Sequence, residues 1–154
     1  MSEILKPDRS SDNQYYSKEF FNSTWDLIDK AERTPREIEK MIHLSHASLC
    51  HWLLRPDCTD QNLSIGYWHL SRVYAVAQEP QNALKYGKLC LDFSLKDDVE
   101  KIYLAFAYEA IARSYALLGE SVSRDLYLKK AKELSEQLKV EDKKQILGDL
   151  LTIK

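Results

Sequence analysis

Two stretches decide the fold: Ser71-Arg72-Val73-Tyr74-Ala75-Val76-Ala77-Gln78-Glu79 and Ala112-Arg113-Ser114-Tyr115-Ala116-Leu117-Leu118-Gly119-Glu120. Residues 71–79 align with 112–120 at an offset of 41, with Arg, Tyr, Ala and Glu at matching positions. The offset extends into the segments that follow, where Cys90 pairs with Ala131 and Ser94 with Ser135, all small side chains. Small residues at matching places let paired helices approach closely, so the alignment reads as a duplicated helical hairpin.

Outward from the repeat, apolar residues recur every three or four positions and alternation of the β type is absent, so the chain is expected to be all-α. A first helix is expected over residues 15–32, its apolar face made of Phe20, Phe21, Trp25, Leu27, Ile28 and Ala31. Thr34-Pro35-Arg36-Glu37 is a capping box with proline at the first helical position, and it opens a second helix that Arg55-Pro56-Asp57 ends. The core stripe of this helix is Ile38, Met41, Ile42, Ser45, Leu49, Trp52 and Leu53. Thr59 or Asp60 caps a third helix running to Ala77, and Pro80 starts a fourth that reaches Ser94. Asp97 or Asp98 caps a fifth helix ending at Leu118, with Gly119 suited to the left-handed C-terminal conformation. Ser121 or Ser123 opens a sixth helix to Leu138, and residues 141–152 form a short terminal helix over the end of the array. The expected organisation is a flexible lead-in, 1–13, and one domain, 14–154. Within it, three stacked antiparallel hairpins (15–55, 60–94, 98–138) and a capping helix make seven helices.

The 154 residues are 44% hydrophobic and 30% charged, enough for one buried core without disulfide support. With 22 basic against 24 acidic side chains, the net charge of −2 offers no general electrostatic grip on nucleic acid or anionic lipid. Cys50, Cys58 and Cys90 are odd in number and lack a framework spacing, which together with the absence of a secretory signal points to the cytoplasm. No apolar run approaches the length of about 18 residues that a membrane-spanning helix needs.

The pattern Tyr67, Leu70, Ser71, Tyr74, Ala83, Cys90, repeated as Tyr108, Ile111, Ala112, Tyr115, Arg124, Ala131, resembles the tetratricopeptide repeat. Two copies cover residues 65–138. Arg124 stands where the family has alanine, Leu95 and Glu136 where it often has proline, and the 41-residue period exceeds the family's roughly 34. The resemblance implies an α-solenoid of stacked hairpins whose first helices line a concave, ligand-holding groove. On that stripe fall Ile65, Trp68, Arg72 and Val76, repeated as Phe106, Glu109, Arg113 and Leu117. Trp68, Arg72, Glu109 and Arg113 are therefore the candidate partner-binding residues. Arginines at equivalent positions would clamp a carboxylate or an acidic peptide through forked, charge-assisted hydrogen bonds; alternatively Arg72 pairs with Glu109 inside the stack.

No phosphate-cradling glycine loop, Gly-x-Ser-x-Gly elbow or His-Glu-x-x-His occurs, so no catalytic residue is nominated. His43, His46, Cys50 and His69 suggest an alternative, a metal- or small-molecule-responsive pocket. Against it, His43 and Cys50 are separated by about 10.5 Å of helix rise, too far to share one zinc. The leading expectation is a non-catalytic module, without a cofactor, that binds a protein or peptide segment; an apolar hairpin edge would also serve a homodimer.

Overall fold

The computed structural model describes residues 8–154, and among them seven α-helices and no strand occur. They are α1 (Ser10–Ile28), α2 (Pro35–Leu53), α3 (Asp60–Val76), α4 (Pro80–Ser94), α5 (Lys101–Leu118), α6 (Ser121–Ser135) and α7 (Val140–Leu150). α1 packs on α2, α3 on α4 and α5 on α6, while α2 also meets α3, and α5 meets both α4 and α3. The result is an all-α stack of helical hairpins, with α7 laid against α5 and α6. No helix of the described residues is long and apolar enough to cross a membrane.

Capping chemistry fixes most boundaries. Thr34 and Glu37 complete the expected box at α2, with Glu37 N–H donating to Thr34 Oγ1 at 3.2 Å and Thr34 N–H to Glu37 Oε2 at 2.9 Å. Of the two caps open at α3, Thr59 is used, and it forms a second box with Asn62. α6 ends at Ser135, not 138, because the backbone turns there, with Gln137 and Leu138 N–H returning to Leu134 O and Ser135 O. The other large differences from expectation lie at α1 and α5. α1 starts at Ser10, not 15, because Asp8 Oδ1 accepts from Ser10 N–H at 2.9 Å and Asp12 lies in the first turn against the helix dipole. Residues 10–13 are thus helical; the expected lead-in also includes residues 1–7, outside the described residues. α1 ends at Ile28, not 32, because the Arg33 guanidinium turns back to the carbonyls of Leu27, Ile28 and Lys30 and satisfies the open helix end. Neither Asp97 nor Asp98 caps α5. Val99 is buried in the preceding turn, and the helix begins after Glu100.

The core has two centres. Met41, Leu70, Val73, Tyr74 and Ala83 anchor the first, and Ala105, Phe106, Ala131, Ile146 and Leu150 the second. Ala83 and Ala131 are both fully buried, as their place at close helix contacts requires. Leu53 departs from the expected α2 stripe: it is 56% exposed, because the helix ends there and the last turn lies beyond the face covered by α1 and α3.

The 41-residue offset has a physical counterpart. Tyr74 stacks on Tyr86 at 5.4 Å and Tyr115 on Tyr127 at 5.9 Å, while Tyr67–Tyr86 and Tyr108–Tyr127 lie at 6.3 and 6.0 Å. The second triad is less covered, since Tyr74 is buried and Tyr115 half-buried. Both helices of the offset also end alike: Gln78 (φ 60°) and Gly119 (φ 74°) take the left-handed conformation, and the next N–H returns to Tyr74 O at 2.9 Å and Tyr115 O at 3.0 Å. Glycine adopts this conformation without steric cost and glutamine does not. Gln78→Gly is therefore expected to stabilise the protein by about 1 kcal/mol, read as a raised urea midpoint at unchanged m. A lowered midpoint would show that the Gln78 side-chain bond to Ala75 O outweighs the backbone cost.

Candidate functional site: a concave aromatic groove

One face of the stack is a groove of about 720 Å³, to which the odd-numbered helices all contribute. Phe21, Trp25 and Ile28 of α1 recur at helical spacing, with Asp29 just beyond; Ile65, Trp68, Arg72 and Val76 form the matching stripe of α3. Tyr103 and Phe106 come from α5, and Gln145 and Asp149 from α7. The aromatic rings make a continuous ladder. Phe21 lies 6.4 Å from Trp25, Trp25 lies 5.7 Å from Trp68, and Trp68 lies 5.2 Å from Phe106. Such tilted and edge-on contacts suit the ring quadrupoles and hold the groove floor in one arrangement.

Of the four nominated residues, Trp68 and Arg72 line the groove, whereas Glu109 and Arg113 lie behind it. Leu117, on the same expected stripe, is exposed outside it. Glu109 is 0% exposed and is the centre on which the others converge. Its Oε1 accepts from Arg72 Nη2 at 3.2 Å and from Arg113 Nε at 2.7 Å, while its Oε2 accepts from Trp68 Nε1–H at 3.3 Å. Arg113 continues to α7, donating to Asp149 O at 3.2 Å and Thr152 Oγ1 at 2.7 Å. Arg72 and Arg113 do share one anionic group, and that group is the chain's own Glu109. Their pairing is intramolecular, and it ties α3, α5 and α7 together.

Asp149 stands at the edge of this network. Its carboxylate is 3.8 Å from Arg72 Nη2, and burial, reinforced by the nearby Glu109 charge, raises its pKa against the opposing pull of Arg72 and Arg113. Asp29, Asp149, Phe21 and Trp25 were not nominated from sequence. Phe21 and Trp25 carry a signal, their i, i+4 spacing; Asp149 carries none, because only the docking of α7 brings it to the groove.

The histidines and Cys50 do not assemble. His43 and Cys50 are exposed, and His46 Nε2 is 2.8 Å from Tyr74 Oη between α2 and α3. His69 is 1% exposed, 4.2 Å from the Phe21 ring and 5.7 Å from Trp25, and its Nε2 has no hydrogen-bond partner. Burial pushes its pKa down to about 3. Among the described residues no three His, Cys, Asp or Glu side chains converge as metal ligands would. The fully buried Cys90 thiol is pushed up to about 12, which keeps it protonated and a poor nucleophile. No protein-family model matches the chain, and no curated protein or solved structure is significantly similar to it.

Proposed function

We propose that this chain is a non-catalytic, tetratricopeptide-like interaction module that binds an extended segment of a partner protein in its concave groove. The observation that carries this reading is the aromatic ladder of Phe21, Trp25, Trp68 and Phe106 in an open groove built by four helices. Tryptophan and arginine in a concave, partly desolvated setting are the residue types that dominate binding energy at interfaces. The matching tyrosine triads and left-handed helix ends of the second and third hairpins support the helical-repeat reading. Three free cysteines, one fully buried, fit a reducing cytoplasmic setting.

Selection of random displayed peptides against the purified protein tests this directly. Recovered peptides are expected to bind wild type and to lose about tenfold in affinity with Trp25→Ala. Val122→Ser, at an exposed α6 position outside the groove, is expected to leave affinity unchanged. Equal binding to wild type and Trp25→Ala, or failure to recover any peptide, would defeat the proposal.

A further inference from the structure

The charge arrangement around the groove specifies its occupant further, given the peptide-binding reading above. We propose that the groove selects a partner segment through a lysine or arginine side chain, laid against the Trp25 and Trp68 rings and countered by Asp149 and Asp29. This reverses the acidic ligand that two equivalent arginines suggested.

Two guanidiniums stand against three carboxylates at or behind the groove: Glu109 pairs with both Arg72 and Arg113, Asp149 lies 3.8 Å from Arg72, and Asp29 pairs with neither. Glu109 is sealed from solvent and takes hydrogen bonds from both arginines, so it absorbs most of their charge. Arg113 turns its remaining contacts to the end of α7 and does not line the groove. What is left facing the groove is an excess of negative charge.

Asp149 is the carboxylate most in need of a partner. Its side chain is 31% exposed, its nearest cationic atom is 3.8 Å away, and its carboxylate accepts no hydrogen bond from the described residues. Asp29, at the groove end of α1, has no ion pair among the described residues; the neighbouring Arg33 is committed to the helix-end carbonyls instead. Lys18 of α1 lines an adjoining recess of about 240 Å³ that shares Phe21 and Ile65 with the groove, and its charge acts on Asp57 beyond the end of α2. Asp149, partly buried at the groove, attracts a cation more strongly than it would on open surface, and the exposed Asp29 adds a second negative charge at the groove end.

The rings supply the second half of the recognition. An indole face draws cations through its quadrupole, and within this groove Arg72 already lies over Trp68, 5.5 Å from the ring centroid. Trp25, the next ring of the ladder, has no cation of its own among the described residues. A lysine or arginine stem would cover the apolar ladder while its head reached Asp149 or Asp29. An acidic side chain in the same place would meet Asp149 and Asp29 with like charge.

The peptides recovered by the selection described above test the inference separately from the binding reading. Expected are Lys- or Arg-bearing peptides whose affinity falls about tenfold when the basic residue is replaced by norleucine. Asp149→Asn or Asp29→Asn should produce a comparable loss, and Asp29→Asn disturbs no internal contact if Asp149→Asn proves unstable. Groove-binding peptides that lack basic residues, or that are acidic, would overturn the cation preference while leaving peptide binding intact. So would basic peptides whose affinity is unchanged by both carboxylate variants. A selection that yields no peptide overturns both readings.

Discussion

Glu109→Gln is expected to lower the stability of the protein by about 3 kcal/mol, the lower end of what removing one partner from a buried ion pair costs. The substitution keeps the shape of the side chain but removes its charge. Arg72 and Arg113, each with a side chain only 16% exposed, then keep only the Asp149 carboxylate, 3.8 Å from Arg72 Nη2, to offset their two charges. The amide oxygen can replace only one carboxylate oxygen: where it accepts from Arg72 and Arg113, the amide NH2 faces Trp68 Nε1–H donor to donor, so a lost hydrogen bond adds to the electrostatic loss. Urea unfolding reads the effect as a lowered midpoint with little change in m. The single variants should order themselves: Arg113→Ala costs more than Arg72→Ala, because Arg113 also holds Asp149 O and Thr152 Oγ1 at the end of α7. The two should be non-additive in a double-mutant cycle through their common partner. A Glu109→Gln protein as stable as wild type would mean that the triad contributes no net stability, and the internal pairing would lose its structural meaning.

What the sequence made legible, and what it hid, follows from the range of the interactions involved. The Thr34–Glu37 box and the Gly119 helix end are local, encoded within four residues, and both were readable. So was the placement of Trp68 and Arg72 on the groove stripe, because helical periodicity and the 41-residue offset carry it. The Tyr86–Tyr127 correspondence lies in the same offset, but its part in the packing depends on the stacking of these rings on Tyr74 and Tyr115, a tertiary contact. The start of α1 and its Arg33-capped end were less accessible, since a cap from two residues upstream and a guanidinium folding back leave no strong motif. Gln78 hid its left-handed turn because the residue is not glycine. Least legible was the groove's charge. Whether Arg72 and Arg113 face a ligand or Glu109 depends on how adjacent hairpins sit against each other, and Asp149 reaches the site only because α7 docks across α5 and α6.

Stability should also fall steeply when the pH is lowered from about 6.5 to 4.5, and His69 should account for much of the slope. Its imidazole is enclosed by Phe21 and Trp25, and burial alone holds its pKa down to about 3 from the ordinary 6.5. Between those two values the unfolded chain binds a proton at this residue that the folded chain refuses. The stabilisation is therefore complete above about pH 6.5 and is lost as pH falls toward 3, at a slope of about 1.4 kcal/mol per pH unit for this one site. His46, also lowered by burial and by the charges of His43 and Lys85, adds in the same direction. Asp149, whose pKa is raised, opposes it. His69→Leu, apolar and close in volume, isolates the contribution: it removes the proton-binding site and the unpartnered buried Nε2 together. The variant is expected to be at least as stable as wild type at pH 7 and to lose markedly less stability by pH 4.5, measured by urea unfolding at each pH. Parallel pH profiles for the two proteins would show that His69 is hydrated or hydrogen-bonded in solution, and the aromatic enclosure behind the Phe21 and Trp25 wall of the groove would then not be dry.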